Sequence, residues 1–419
     1  MRTITLPMTL SSFLFTVVAT TGVSYAAPPN SGGVKAQQTL SESTARAQLA
    51  KSETSGKAAP LPPAMSSKAE KALKSGQKAF EKGDLKGAQT QFQAAIKADK
   101  NAYLAHYALG VVQERLGNVS GASKSYRAAI DIVSDHDASI VGYCLVLSRQ
   151  SNHDQAFDFA QKKLNEWGPS AALVAVKGEI RSMQGRSGEA QELSQQALKI
   201  DPNYKPAMVT LARDQYRARR IDLALYALTG ILDGYGGDKP PRDKDNAEAR
   251  MLRGLIYAER GLKGPSMEEM ERALKQRPDL VEAHLILSNY MMEAGNAKDA
   301  RSHLESAVRY DSKNVGAHLQ LGDAYRLLGR PDDARRELEW VLKAEPNQAA
   351  AHYNLGLVFL LSGAIKGLTE TQAVDKAIEH LDAYKARAVR GGPDDVDELL
   401  TRAKTKQAML KSQQQQPEK

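Results

Sequence analysis

The sequence has one cysteine, Cys144, in 419 residues, so no disulfide can form within the chain. Cys144 lies in the apolar run Ile140–Leu147 and reads as a buried small residue rather than a reactive thiol. Aromatic residues make up only 6%, with two tryptophans, Trp167 and Trp340. No stretch after the N-terminus has the roughly 20 apolar residues that a membrane span needs. The patterns H-E-x-x-H, G-x-S-x-G and G-x-x-x-x-G-K-[ST] are absent, which removes the common zinc-hydrolase, serine-hydrolase and nucleotide-binding signatures. Charge of one sign is never concentrated. The net value is +8, but acids and bases alternate, as in Asp332-Asp333-Ala334-Arg335-Arg336-Glu337, and a mixed solvated face is expected rather than a nucleic-acid interface.

What is abundant is Ala, Leu, Lys, Glu and Gln, a helical composition. The N-terminus has Arg2, a short apolar stretch Phe13–Val23, and Ser24-Tyr25-Ala26 at a cleavage-like spacing. Residues 1–26 are therefore expected to be a cleaved export signal. No cysteine near the cleavage point supports a lipoprotein. Residues 27–66 are Ala/Pro/Ser-rich with few large apolar side chains and are expected to be a disordered linker.

A 34-residue period runs through most of the rest. One small position falls at Gly76, Gly110, Cys144, Gly178 and Ala212, then at Gly254, Ser288, Gly322 and Gly356. Seven residues later comes a turn position: Gly83, Gly117, Ser151, Gly185, Arg219, Gly261, Gly295, Gly329 and Gly363. Five further on another small residue recurs, from Ala88 to Ala334. Each unit reads as two helices. In LGDAYRLLGRPDDARRELEWVLKAEP, Leu321, Tyr325 and Leu328 form one stripe, Gly329 breaks it, and Pro331 opens a second helix carrying Ala334, Leu338, Val341 and Leu342. A pair this small cannot hide its apolar faces alone, so pairs must stack, and Gly322 and Ala334 are small because two backbones approach there.

These residues resemble the tetratricopeptide repeat family: His318-x2-Leu321-Gly322-x2-Tyr325, then Ala334, Leu338 and Pro346, with His where Trp is usual. The resemblance implies an all-α, right-handed α-solenoid of about nine helix-turn-helix repeats over residues 67–388. The repeats lie near 69–102, 103–136, 137–170, 171–204, 205–238, 247–280, 281–314, 315–348 and 349–388. A capping helix is expected at 393–407 and a disordered tail at 408–419. Insertions at Asp233–Asn246 and Ala364–Lys376 are expected to be surface loops, and Lys163 stands where Ala is usual.

Such repeats serve as interaction scaffolds, and the resemblance places partners on the first helices. The fifth repeat positions are apolar throughout, which argues against the Lys/Asn clamp that holds acidic chaperone C-termini. An apolar groove for an amphipathic helix or extended peptide is expected instead, lined by Tyr107, Val111, Arg213, Tyr216, Met251, Leu255, Leu285, Met292, Leu319 and Tyr353. The same side chains equally suit packing between adjacent first helices. His106, His284, His318 and His352 occupy one repeat position in different repeats, too far apart to share a metal, and read as packing residues.

The sequence therefore reads as a non-enzymatic scaffold without cofactor, binding other proteins, the subunits of an envelope complex, in a bacterial periplasm. The order of leader, linker and array resembles exported scaffolds of myxobacterial gliding-motility and polysaccharide-export machines. A glycan-binding or polysaccharide-export accessory role is the alternative; it wants exposed aromatic platforms, whereas both tryptophans fall on second helices.

Overall fold

The computed structural model describes residues 62–236, 239–387 and 395–414. The expected signal, and most of the expected linker, lie outside the described residues. Nineteen helices are seen among those described, in antiparallel pairs. The first six pairs are α1 (Ser67–Glu81) with α2 (Leu85–Ala98), α3 (Tyr103–Arg115) with α4 (Val119–Ile132), α5 (Asp137–Arg149) with α6 (His153–Trp167), α7 (Ala171–Met183) with α8 (Ser187–Ile200), α9 (Lys205–Arg217) with α10 (Ile221–Leu232), and α11 (Ala247–Glu259) with α12 (Lys263–Gln276). Then come α13 (Val281–Glu293) with α14 (Ala297–Tyr310), α15 (Val315–Leu327) with α16 (Pro331–Ala344), α17 (Ala349–Leu361) with α18 (Glu370–Arg387), and a last helix, α19 (Val396–Gln414).

Local chemistry explains the boundaries. Asp84, Asn118 and Asn314 each accept a backbone N–H of the first turn that follows, at 2.8, 3.0 and 2.9 Å. Pro206 and Pro331 sit in first turns, where a missing N–H costs nothing. At the turn inside each of the first eight pairs, one residue takes a left-handed conformation and the next N–H reaches back to the helix, as Asn118 N donates to the Gln113 carbonyl at 2.8 Å and Arg330 N to that of Tyr325 at 2.9 Å. In the ninth pair Gly363, expected as the turn residue, does not take it, because the longer connection leaves α17 through extended Ser362. Ser151 (φ 63°) and Arg219 (φ 60°) adopt this conformation without being glycine. The turn geometry thus overrides an unfavourable side chain.

Within a pair, contact is closest at the small position. A Cβ on Gly110 would lie 2.7 Å from the Tyr126 ring, and one on Gly322 2.6 Å from Leu338 Cγ and 3.4 Å from the Ala334 carbonyl oxygen. Ala88, Ala122, Ala156, Ala190, Ala300 and Ala334 are all fully buried opposite.

Tertiary contacts divide the chain into two compact units, one within Ser24–Ala283 and one within His284–Lys419, the division falling inside α13. In the second unit the core joins Leu321, Leu338, Leu355, Val358 and Leu381 to Leu400 and Ala403 of α19, which covers the last hairpin.

Two local expectations differ. The insertion Ala364–Lys376 is not all loop, because Glu370–Lys376 forms the start of α18. Thr369 and Gln372 make a reciprocal cap there: the Thr369 N–H donates to Gln372 Oε1 at 2.9 Å and the Gln372 N–H to Thr369 Oγ1 at 3.2 Å. The last helix also continues past 407 to Gln414, because Ala408, Met409, Leu410 and Lys411 favour helix.

Replacing Ser151 by Gly relieves the left-handed turn and is expected to raise stability by about 0.5–1 kcal/mol, whereas Gly110→Val drives a side chain into Tyr126 and is expected to lower it by about 1–3 kcal/mol. Urea-unfolding midpoints of the two variants check both signs.

Candidate functional site

The first helices of the unit within Ser24–Ala283 do not present an open apolar trough. Met251 is 4% exposed and Arg213 8%. Arg213 is ion-paired to Glu179, which also accepts from Thr210 Oγ1 at 2.7 Å. Tyr107 is half-buried, edge-on to the His136 ring with centroids 5.3 Å apart and tilted against Tyr126 at 5.9 Å. Burial, with Glu114 nearby, pushes its phenol up to about 12. Val111 packs against the cluster of Ala122, Tyr126 and Val146. Tyr216 packs against Ala212, Leu228 and Ile256, and Leu255 is half-buried. The expected groove is thus corrected for Met251 and Arg213, which are interior. Adjacent first helices lie too close to leave such side chains unpacked.

This inner face is held by charge. Glu114 accepts from the Tyr126 hydroxyl at 2.6 Å and pairs with Arg149. Next to it on α3, Arg115 stacks on the Phe80 ring at 4.3 Å and reaches Asp279 at 3.6 Å. Asp279 lies in the linker after α12, so this contact joins the second hairpin to the end of the sixth. Arg277 grips Asp279 with two parallel N–H donors, at 2.9 and 2.6 Å, and holds Glu248 at 2.6 Å. Glu269 accepts from Arg250 at 2.9 Å and Arg253 at 2.7 Å, and Arg253 also pairs with Asp233. Burial alone would raise the Asp279 carboxyl; Arg277 and Arg115 reverse this and hold it at about 2. For Arg115 burial outweighs the pull of Asp279, and its Nε is buried without a hydrogen-bond partner.

In the unit within His284–Lys419, Leu285, Met292, Leu319 and Tyr353 are half-buried and pack against the core. Leu285, Leu319 and Tyr353 repeat at 34-residue intervals along α13, α15 and α17. Tyr353 donates its hydroxyl to both Asp395 oxygens, at 2.9 and 3.1 Å, and its ring lies 5.1 Å from that of Tyr384. Asp395, just before α19, therefore caps the Tyr353 hydroxyl at one end of this row.

Sequence reasoning missed the ion network and one exposed patch. Glu114-Arg115 and Arg149 do signal the network, since Arg115 and Arg149 occupy the same repeat position; nothing local points to Asp279. The patch is on α10 and the loop that follows. Leu223 is 54% and Tyr226 64% exposed, and Tyr235 from the insertion stacks on Tyr226 with centroids 4.7 Å apart. Among the described residues no group of three or more His, Cys, Asp or Glu could hold a metal, and no helix is long and apolar enough to cross a membrane. Burial pushes the Cys144 thiol up, away from the reactive thiolate.

Asp279→Asn leaves Arg115 and Arg277 short of countercharge in a buried site, and a loss of about 2–4 kcal/mol is expected in denaturant unfolding. Because the native carboxyl sits below its ordinary value, the wild-type contribution is complete above pH 4 and disappears as pH falls from about 4 to about 2. The Asn variant is expected to lack that acid limb.

Tetratricopeptide-repeat family profiles match residues 73–137, 209–281 and 291–356. The DnaJ homolog subfamily C member 3 of Gallus gallus is 25% identical over 227 residues, covering 54% of this chain and 40% of that protein; the Bos taurus protein is 26% identical over the same length. The chain thus spans about two fifths of the length of these relatives. Among solved structures, the Cut9–Hcn1 hetero-tetramer of the APC/C covers 80% of this chain and 76% of its own at 15% identity and a TM-score of 0.47. The P58(IPK) TPR domain covers 83% of this chain and 99% of its own at 21% identity and a TM-score of 0.28. With the paired helices, the recurring left-handed turns and the buried small positions, these profile matches establish that the chain contains tetratricopeptide repeats.

Proposed function

We propose that this chain is an exported, non-enzymatic scaffold that gathers protein subunits in a bacterial cell envelope. The observation that carries the scaffold reading is the stack of repeat hairpins over 73–137, 209–281 and 291–356, since tetratricopeptide repeats bind other proteins. The export reading is supported by the sequence of residues 1–26. A place in a motility or secretion machine is the setting that the leader, linker and array suit.

The docking row that we favour is Leu285, Leu319 and Tyr353, with Met292 beside it. These side chains are half-buried at a regular interval and keep part of their apolar surface open, which suits the apolar face of an amphipathic helix or an extended peptide. The first helices of the other unit are less suited, because Arg115, Arg277 and Asp279 already occupy one another there.

A second reading is favoured by one observation. The exposed Tyr226–Tyr235 stack is the aromatic platform that a glycan-binding surface requires, and it stands where Tyr107 and Tyr353 do not.

A photo-cross-linking residue at Leu319 is expected to yield discrete protein adducts in intact envelopes, identified by mass spectrometry. Polysaccharide binding lost in Tyr226→Ala, with no adduct from position 319, decides for the glycan reading. Fractionation of cells expressing the full chain and a form lacking residues 1–26 is expected to move the protein from periplasm to cytoplasm.

A further inference from the structure

The histidines that replace the usual tryptophan are not merely filling space. In each of three hairpins the ring nitrogens have fixed partners. His106, His318 and His352 each direct Nε2 at the carbonyl six residues earlier, at 3.2 Å in all three. Assigned from this network, Nε2 of His352 carries the proton and its Nδ1 is left as an acceptor. In the ninth hairpin Nδ1 of His352 meets Nδ1 of His380 at 3.0 Å, so His380 donates and both rings are neutral. In the seventh hairpin His284 and His303 meet in the same way at 2.9 Å. In the eighth the equivalent partner is Glu337, 2.7 Å from His318 Nδ1. Both nitrogens of His318 then face oxygen atoms, whereas His352 faces another imidazole.

We propose that the His352–His380 hydrogen bond is an acid-sensitive fastening of α17 to α18, which opens the ninth hairpin when both rings are protonated. One added proton leaves a donor and an acceptor facing each other; protonation of both rings removes the acceptor and sets like charges about 3 Å apart. His380 also stacks on Phe359, with centroids 5.6 Å apart, so the charged form would be poorly hydrated. Among the described residues, the charged groups acting on the two rings are Lys376, Glu379 and Arg387, all on α18; none comes from α15, α16 or α19, which pack on the same hairpin. Two bases against one acid do not invite a further positive charge.

The sign follows. Burial first, and His352 second, hold His380 down at about 4, and burial lowers His352 as well. An opened hairpin takes up protons below the ordinary histidine value of about 6.5, and the closed one does not. The fastening is therefore complete above about pH 6.5 and weakens as pH falls toward 4. Allowing for partial exposure of the rings, closing of the hairpin is expected to weaken roughly tenfold between pH 7 and pH 5. The inference stands whether or not a partner docks on the neighbouring row.

Hydrogen exchange of the full chain at pH 7 and pH 5, corrected for intrinsic rates, tests it. Amides of α17 and α18 are expected to lose protection roughly tenfold relative to those of α15 and α16. His380→Gln, whose amide can still donate to His352, is expected to abolish that difference. Equal changes in the eighth and ninth hairpins, or an undiminished loss in His380→Gln, would overturn the proposal. Should the Gln variant lose helical circular dichroism, nitrogen-15 titration of wild-type His380 decides: a midpoint below 5 supports the fastening and one at or above 6.5 removes it.

Discussion

The structure depends on how closely two helices of one hairpin approach. At Gly110 and Gly322 the second helix leaves no room for even a methyl group, because Tyr126 and Leu338 fill it. That steric limit sets the 34-residue period, since each hairpin must repeat the small residue, the left-handed turn and the alanine opposite to present the same surface to its neighbour. Ser151 and Arg219 show the strength of the constraint: the backbone keeps its positive φ even where the side chain opposes it. Stacking then buries the apolar stripes that a single pair cannot.

A repeat array offers two uses for its first-helix surface. It can remain available to a partner, or it can be consumed by internal contacts. In one unit the surface is consumed by internal contacts; for the other we propose that it remains available. Around Arg115 and Asp279 the surface is satisfied by its own charges, and buried ion pairs of this kind stabilise little relative to apolar packing while being costly to break from one side. Around Leu285, Leu319 and Tyr353 the side chains are half-buried and regularly spaced, and this is the row that we propose for a docking helix. The histidine position shows the same division on a smaller scale, His318 facing a carboxylate while His352 faces another imidazole.

The fold was legible in the sequence because it rests on local and periodic sterics. Small residues at 76, 110, 178, 254, 322 and 356, and turn residues seven further on, mark the hairpins without any knowledge of distant contacts. The Thr369–Gln372 cap was equally readable, yet the polar composition of Ala364–Lys376 hid it behind a loop reading. The site was less legible for a physical reason. Whether Met251 is open or interior depends on the neighbouring hairpin, and whether Arg115 is free depends on Asp279, which no sequence period connects to it. The Tyr226–Tyr235 stack is hidden in the same way, since it requires the insertion to fold back on α10.

The central claim is that the regular apolar row of α13, α15 and α17 is where other proteins dock. Hydrogen exchange of the chain alone and in complex with an envelope protein cross-linked to it measures this most directly. The account predicts that complex formation slows exchange along α13, α15 and α17 while leaving α10 and residues 233–236 unchanged. Slowing confined to α10 and that loop, with the three first helices exchanging as before, would contradict it.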